Sequence, residues 1–120
     1  MKTLLIVEDD TDIQDYYQIL LSGLGVRILC AYTGKKGLAI VDAGEDVDLI
    51  LLDIVLPEMG SEEFFRELRL VRQAATSVIV CSVDEKLIEP LRRIGPVQGT
   101  FLKGDPGSTL VAMVKGQFAL

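Results

Sequence analysis

Apolar positions along the chain follow two alternating rhythms. Five short runs read as strands: Thr3 to Val7, Val26 to Ala31, Asp48 to Asp53, Ser77 to Ser82 and Thr100 to Lys103. The third contains Leu49-Ile50-Leu51-Leu52, apolar on both faces, which suits a strand buried in a parallel sheet. Between the runs the spacing turns helical. Asp10 or Thr11 can cap a helix whose Ile13, Tyr16, Tyr17, Leu20, Leu21 and Leu24 recur at i, i+3, i+4, i+7, i+8 and i+11, and Gly23 and Gly25 end it. Thr33 or Gly34 opens a second helix carrying Leu38, Ile40 and Val41, closed at Gly44. Pro57 and Gly60 mark a loop. Ser61 is the expected cap of the next helix, with Glu62 and Glu63 in its first turn and Phe64, Leu68 and Val71 on its inner face. Asp84 to Ile94 has helical spacing, but Pro90 either kinks it or leaves a short piece starting there. The last helix runs from about Asp105 to Phe118, with Pro106 near its first turn.

A strand followed by a helix, five times over, predicts an α/β fold. The expected form is a doubly wound, five-stranded parallel sheet in the flavodoxin-like order 2-1-3-4-5. No repeat or linker divides the chain, so residues 1–120 are expected to form one domain. The formal charge of −6, from 18 acids and 12 bases, disfavours a phosphate backbone as partner, so no direct binding of nucleic acid is expected. Apolar runs are a few residues long, against the ~20 of a membrane span, and no membrane association is expected. No secretory leader opens the sequence, which points to a cytoplasmic location with reduced thiols. Cys30 and Cys81 fall on non-neighbouring strands, too far apart for a disulfide, and read as buried small hydrophobes. The chain has no His, hence neither the commonest general base nor the commonest metal ligand.

The chemistry of such a sheet sits beyond the carboxyl ends of its strands. There the sequence places Glu8-Asp9-Asp10, Asp53, Ser82 and Lys103. Adjacent first and third strands would bring Glu8, Asp9 and Asp53 into one pocket. Such carboxylates must be protonated in part or share a cation, and an all-oxygen set suits Mg²⁺. Lysine and serine donors nearby would receive a tetrahedral anion. An aspartate so placed is a nucleophile for phosphoryl transfer.

These residues resemble the receiver domain of two-component response regulators. Four segments carry the resemblance, in order and at the right spacing: Leu5-Ile6-Val7-Glu8-Asp9-Asp10, Leu51-Leu52-Asp53-Ile54-Val55-Leu56-Pro57-Glu58-Met59, Val78-Ile79-Val80-Cys81-Ser82 and Gly99-Thr100-Phe101-Leu102-Lys103. The resemblance implies that Asp53 is the phosphoacceptor. It implies Mg²⁺ held by Asp9, Asp53 and the backbone carbonyl of Val55, with Glu8 on a metal-bound water. Ser82 and Lys103 would contact the phosphoryl oxygens. The donor would be a phosphohistidine on a sensor histidine kinase or phosphotransfer protein, and the phosphorylated chain would switch binding to an output domain or partner, homodimerisation included. Such a chain gains and loses its own phosphoryl group but is not a turnover enzyme.

Some positions depart from the family pattern. Val83 stands where a small residue usually follows the strand-four hydroxyl, which would narrow access. Thr100 stands where the switch aromatic usually lies, and Phe101, one residue on, should face the other side of the strand. Gly104 follows the lysine in place of a proline, and Gly60 comes one position early, leaving Ser61 at the usual glycine. Val83 and Thr100 motivate an alternative, a degenerate receiver that binds partners without phosphorylation. An enzyme reading is weaker. Haloacid-dehalogenase-like phosphatases carry a second aspartate two residues after the nucleophile, where this chain has Val55. A flavodoxin's phosphate loop is replaced here by the acidic Glu8-Asp9-Asp10-Thr11-Asp12.

Overall fold

The computed structural model describes residues 1–120. Its elements are β1 (Thr3–Val7), α1 (Thr11–Leu21), β2 (Arg27–Ala31), α2 (Gly34–Asp42), β3 (Leu49–Asp53), α3 (Ser61–Arg66), β4 (Ser77–Ser82), α4 (Glu89–Arg92), β5 (Gly99–Leu102) and α5 (Gly107–Phe118). The strands pair in parallel in the order β2-β1-β3-β4-β5, as expected.

Strand alternation divides the apolar side chains into two layers. Leu5, Val7, Ile50, Leu52, Val78 and Val80 pack with Leu38, Phe64, Leu68, Ile88 and Leu91 under α2, α3 and α4. Leu4, Ile6, Leu49, Leu51, Ile79, Cys81 and Phe101 pack with Tyr17, Leu21, Leu110, Val114 and Phe118 under α1 and α5. Phe101 therefore lies on the α1/α5 side. Its neighbour Thr100, opposite Val80 in the register, falls on the other. α2 approaches β1 so closely that a Cβ at Gly37 would come within 3.1 Å of both Phe64 and Val7.

Four local expectations are corrected. Ser61 does not cap α3. Gly60 occupies the cap position at φ 76° and ψ 156°, while Ser61 begins the helix and its hydroxyl donates to the Ile54 carbonyl at 2.6 Å. Val71 is exposed rather than inward, because residues Glu67–Val71 form a π turn that rotates the helical face after α3. Tyr16 is half exposed, since the buried stripe of α1 is Gln14, Tyr17 and Leu21. Cys30 is only half-buried, whereas Cys81 is fully enclosed; both are free thiols. Around Pro90 the second alternative holds. A 3₁₀ turn, Glu85–Ile88, precedes a single α-turn with the proline at its start.

Candidate functional site

β1 and β3 are neighbours, so the residues leaving their carboxyl ends converge. Carboxylate oxygens of Glu8, Asp9 and Asp53 all lie within 4.8 Å of one another. Glu8 and Asp53 are buried, at 1% and 4% exposure, and Asp9 is exposed. Asp10, next along, accepts from the amides of Asp12 and Ile13 at 2.9 and 3.1 Å and caps α1, which leaves it out of the cluster.

Lys103 reaches this cluster from β5. Its amide donates to the Ser82 carbonyl at 2.7 Å, extending the β4–β5 pairing past the last strand residue. Its Nζ donates to Asp53 at 2.8 Å and to Glu8 at 3.4 Å. Burial disfavours the Lys103 ammonium, but the hydrogen bond and charge of Asp53 outweigh it and raise its pKa. One ammonium against three carboxylates leaves negative charge uncompensated. Glu8 shows the effect: burial first, then the charge of Asp53, push its carboxyl up to about 8, although Lys103 and the Asp10 amide pull the other way.

The donor set fits a hard divalent cation: three carboxylates, no thiol and no imidazole, with one carboxylate open to solvent. In the loop after β3, Ser61 occupies the Ile54 carbonyl, while no intramolecular hydrogen bond ends on the Val55 carbonyl. Val55 as a whole is 67% exposed.

The remaining site positions are placed as follows. Ser82 is fully buried beside the cluster, but its hydroxyl is engaged elsewhere. It donates to the Asp84 carbonyl at 2.7 Å and accepts from the Asp84 amide at 3.1 Å. The Asp84 carboxylate in turn accepts from the Lys86 amide at 2.9 Å, capping the 3₁₀ turn. Val83 is 70% exposed and Thr100 half-buried. A cavity of about 310 Å³ borders Lys103, with Ile13, Tyr16, Tyr17 and Phe101 in its wall. Two buried polar residues near the site, Ser61 and Gln14, are not marked as part of it by the sequence pattern. Ser61 reads as a helix cap, and a stripe defined by apolar residues alone leaves out Gln14. Its spacing to Tyr17 and Leu21, three and seven residues, was the available signal.

The family model of the response regulator receiver domain matches residues 4–96. The chain is 31% identical over 85 residues to the transcriptional regulatory protein CpxR of Klebsiella pneumoniae, which covers 71% of this chain and 36% of that protein. It is 40% identical over 82 residues to the KDP operon transcriptional regulatory protein KdpE of Escherichia coli, covering 68% and 35%. The chain thus spans about a third of the length of the curated relatives it matches. Among solved structures, a CheY-like response regulator receiver domain protein of Methanospirillum hungatei superposes with a TM-score of 0.87 at 26% identity, over 99% of this chain and 94% of that one. The chemotaxis response regulator CheY4 of Vibrio cholerae shares the fold, with a TM-score of 0.86 at 22% identity and 98% of each chain covered.

Proposed function

Since the chain belongs to the response regulator receiver family, we propose that it accepts a phosphoryl group on Asp53 from a phosphohistidine of a kinase or phosphotransfer protein. The carrying observation is the Asp53 carboxylate itself. It is buried at a strand end, 2.8 Å from the Lys103 ammonium and clustered with two further carboxylates. In this reading an Asp53 oxygen forms a bond to phosphorus as the phosphorus–nitrogen bond of the donor breaks, and the imidazole leaves. Lys103 holds Asp53 in place and then pairs with the incoming phosphoryl oxygens. Asp9, Asp53 and the Val55 carbonyl are the residues that would hold Mg²⁺, with Glu8 behind them. The ion would neutralise charge between the carboxylates and the transferred group.

The switch follows from Ser82. A phosphoryl group on Asp53 adds roughly −1.5 to −2 charge and new acceptor oxygens. Drawing the Ser82 hydroxyl to one of them releases Asp84, which caps the turn before α4. The segment from Glu85 to Arg92 is then the element whose arrangement reports the phosphoryl group to a partner or a second copy of the chain. The chain in this reading is a phosphoacceptor that turns over only its own modification.

Intact-mass measurement after incubation with a small acyl phosphate and Mg²⁺ tests the proposal. The expected result is one phosphoryl group per chain, absent with chelator and absent in Asp53→Asn. No mass gain in the unmodified chain, with Mg²⁺ present and the donor in excess, would overturn it in favour of a module that binds without phosphate.

A further inference from the structure

Gln14 is fully buried in the first turn of α1, yet its side chain is polar. Its Nε2 donates toward three backbone carbonyls: Ile6 at 3.2 Å, Glu8 at 3.3 Å and Ala31 at 3.3 Å. An amide carries two N–H groups, so three acceptors share them. The acceptors belong to two strand exits, Ile6 and Glu8 on the β1 side and Ala31 as the last residue of β2. Ala31 also accepts the Glu8 amide at 3.0 Å. Glu8 is therefore held on both sides, its N–H by Ala31 and its C=O by Gln14. That carbonyl lies in the peptide joining Glu8 to Asp9. The tilt of this one plane governs how both carboxylates leave the backbone.

We propose that Gln14 is a positioning residue for the cation pocket: by fixing the Glu8–Asp9 peptide it makes those two carboxylates converge with Asp53. The inference rests on reading Glu8, Asp9 and Asp53 as a divalent-cation site. An apolar side chain of equal length would fill the same volume. It would leave the Glu8 carbonyl without its donor in the interior, and the peptide would turn to find another. Groups that orient metal ligands without touching the metal typically set affinity by 10–100-fold, and Gln14 acts on its ligands through the backbone, so a loss of about tenfold is expected.

The test is a Mg²⁺ titration followed by NMR, reading the backbone amides of Asp9 and Asp53 in the unmodified chain, in Gln14→Met and in Val114→Ala. Val114→Ala serves as control because it loosens the same α1/α5 layer without touching Glu8. Gln14→Met should bind Mg²⁺ about tenfold more weakly, while Val114→Ala, though it melts earlier, should keep the unmodified affinity. In the unmodified chain, Mg²⁺ should also shift the side-chain amide signals of Gln14 and leave those of Gln98, at the opposite edge of the sheet, in place. A folded Gln14→Met with unchanged affinity overturns the proposal. So do Gln14 amide signals that stay still through saturation, a readout that holds even if the variant does not fold. Absence of Mg²⁺ binding by the unmodified chain is a different failure, removing the cation site and this inference with it.

Discussion

Lys103 donates to two of the three clustered carboxylates, Asp53 closely and Glu8 at longer range, and its single charge leaves the cluster negative. With its carboxyl raised from 4.5 to about 8 in the folded chain, Glu8 keeps a proton that the unfolded chain has released. Between those values the folded state binds more protons, so its stability without metal falls as pH rises, until Glu8 is ionised in both states. Urea unfolding in chelator should show lower stability at about pH 8 than at about pH 5, and Glu8→Gln should flatten that slope. A slope unchanged in Glu8→Gln would assign the dependence to other groups. Lys103→Met removes the only cation hydrogen-bonded to Asp53. It should cost about 1 kcal/mol in urea unfolding at neutral pH, the low end of the range for an orphaned buried partner because Lys103 is a quarter exposed. These residues were legible in the sequence because strand ends are where an α/β sheet keeps its chemistry. The engagement of Ser82 with Asp84 was not legible, since a hydroxyl's partner depends on the turn that follows it.

The connections are where pattern and structure part company. Gly60, at φ 76° and ψ 156°, sits in a region essentially reserved for glycine, and nothing lies within 4 Å of an added Cβ there. Gly60→Ala should therefore cost about 1–3 kcal/mol from the backbone alone, read as a shift in the denaturant midpoint. A shift well under that range would mean the loop relaxes. The π turn at Glu67–Val71 explains why Val71 faces outward despite its helical spacing: a period of 3.6 residues cannot register one extra residue per turn. Arg69 shows what the turn accomplishes, donating to the carbonyls of Ala74 and Pro96 and stacking over Phe65. The chain after β4 has one α-turn and a 3₁₀ turn held by Asp84. Asp84→Ala should speed hydrogen exchange at Lys86 and Leu87 while leaving β3 unchanged, and equal exchange in both proteins would remove Asp84 as the tether.

The sheet as a whole was legible because its alternation is nearly free of exceptions: even and odd positions of β1 and β3 go to opposite layers. Both layers end at the same edge, where the acidic cluster concentrates part of a −6 net charge. Mg²⁺ at about 100-fold above its dissociation constant should stabilise the fold by about 2.7 kcal/mol. NaCl of equal ionic strength should not reproduce this, and neither salt should distinguish Asp9→Asn from its metal-free state. Thermal melts decide it; equal gains from both salts would reduce the effect to screening. The two layers also differ in what they seal. Cys81 is fully enclosed on the α1/α5 side, its thiol pushed up to about 12 chiefly by burial, while Cys30 is partly open. Only a thiolate attacks an alkylating reagent. Burial raises the half-buried Cys30 thiol as well, so Cys30 should answer such a reagent slowly in the native state and Cys81 only when the sheet comes apart, which gives the molecule an internal clock for its own global opening.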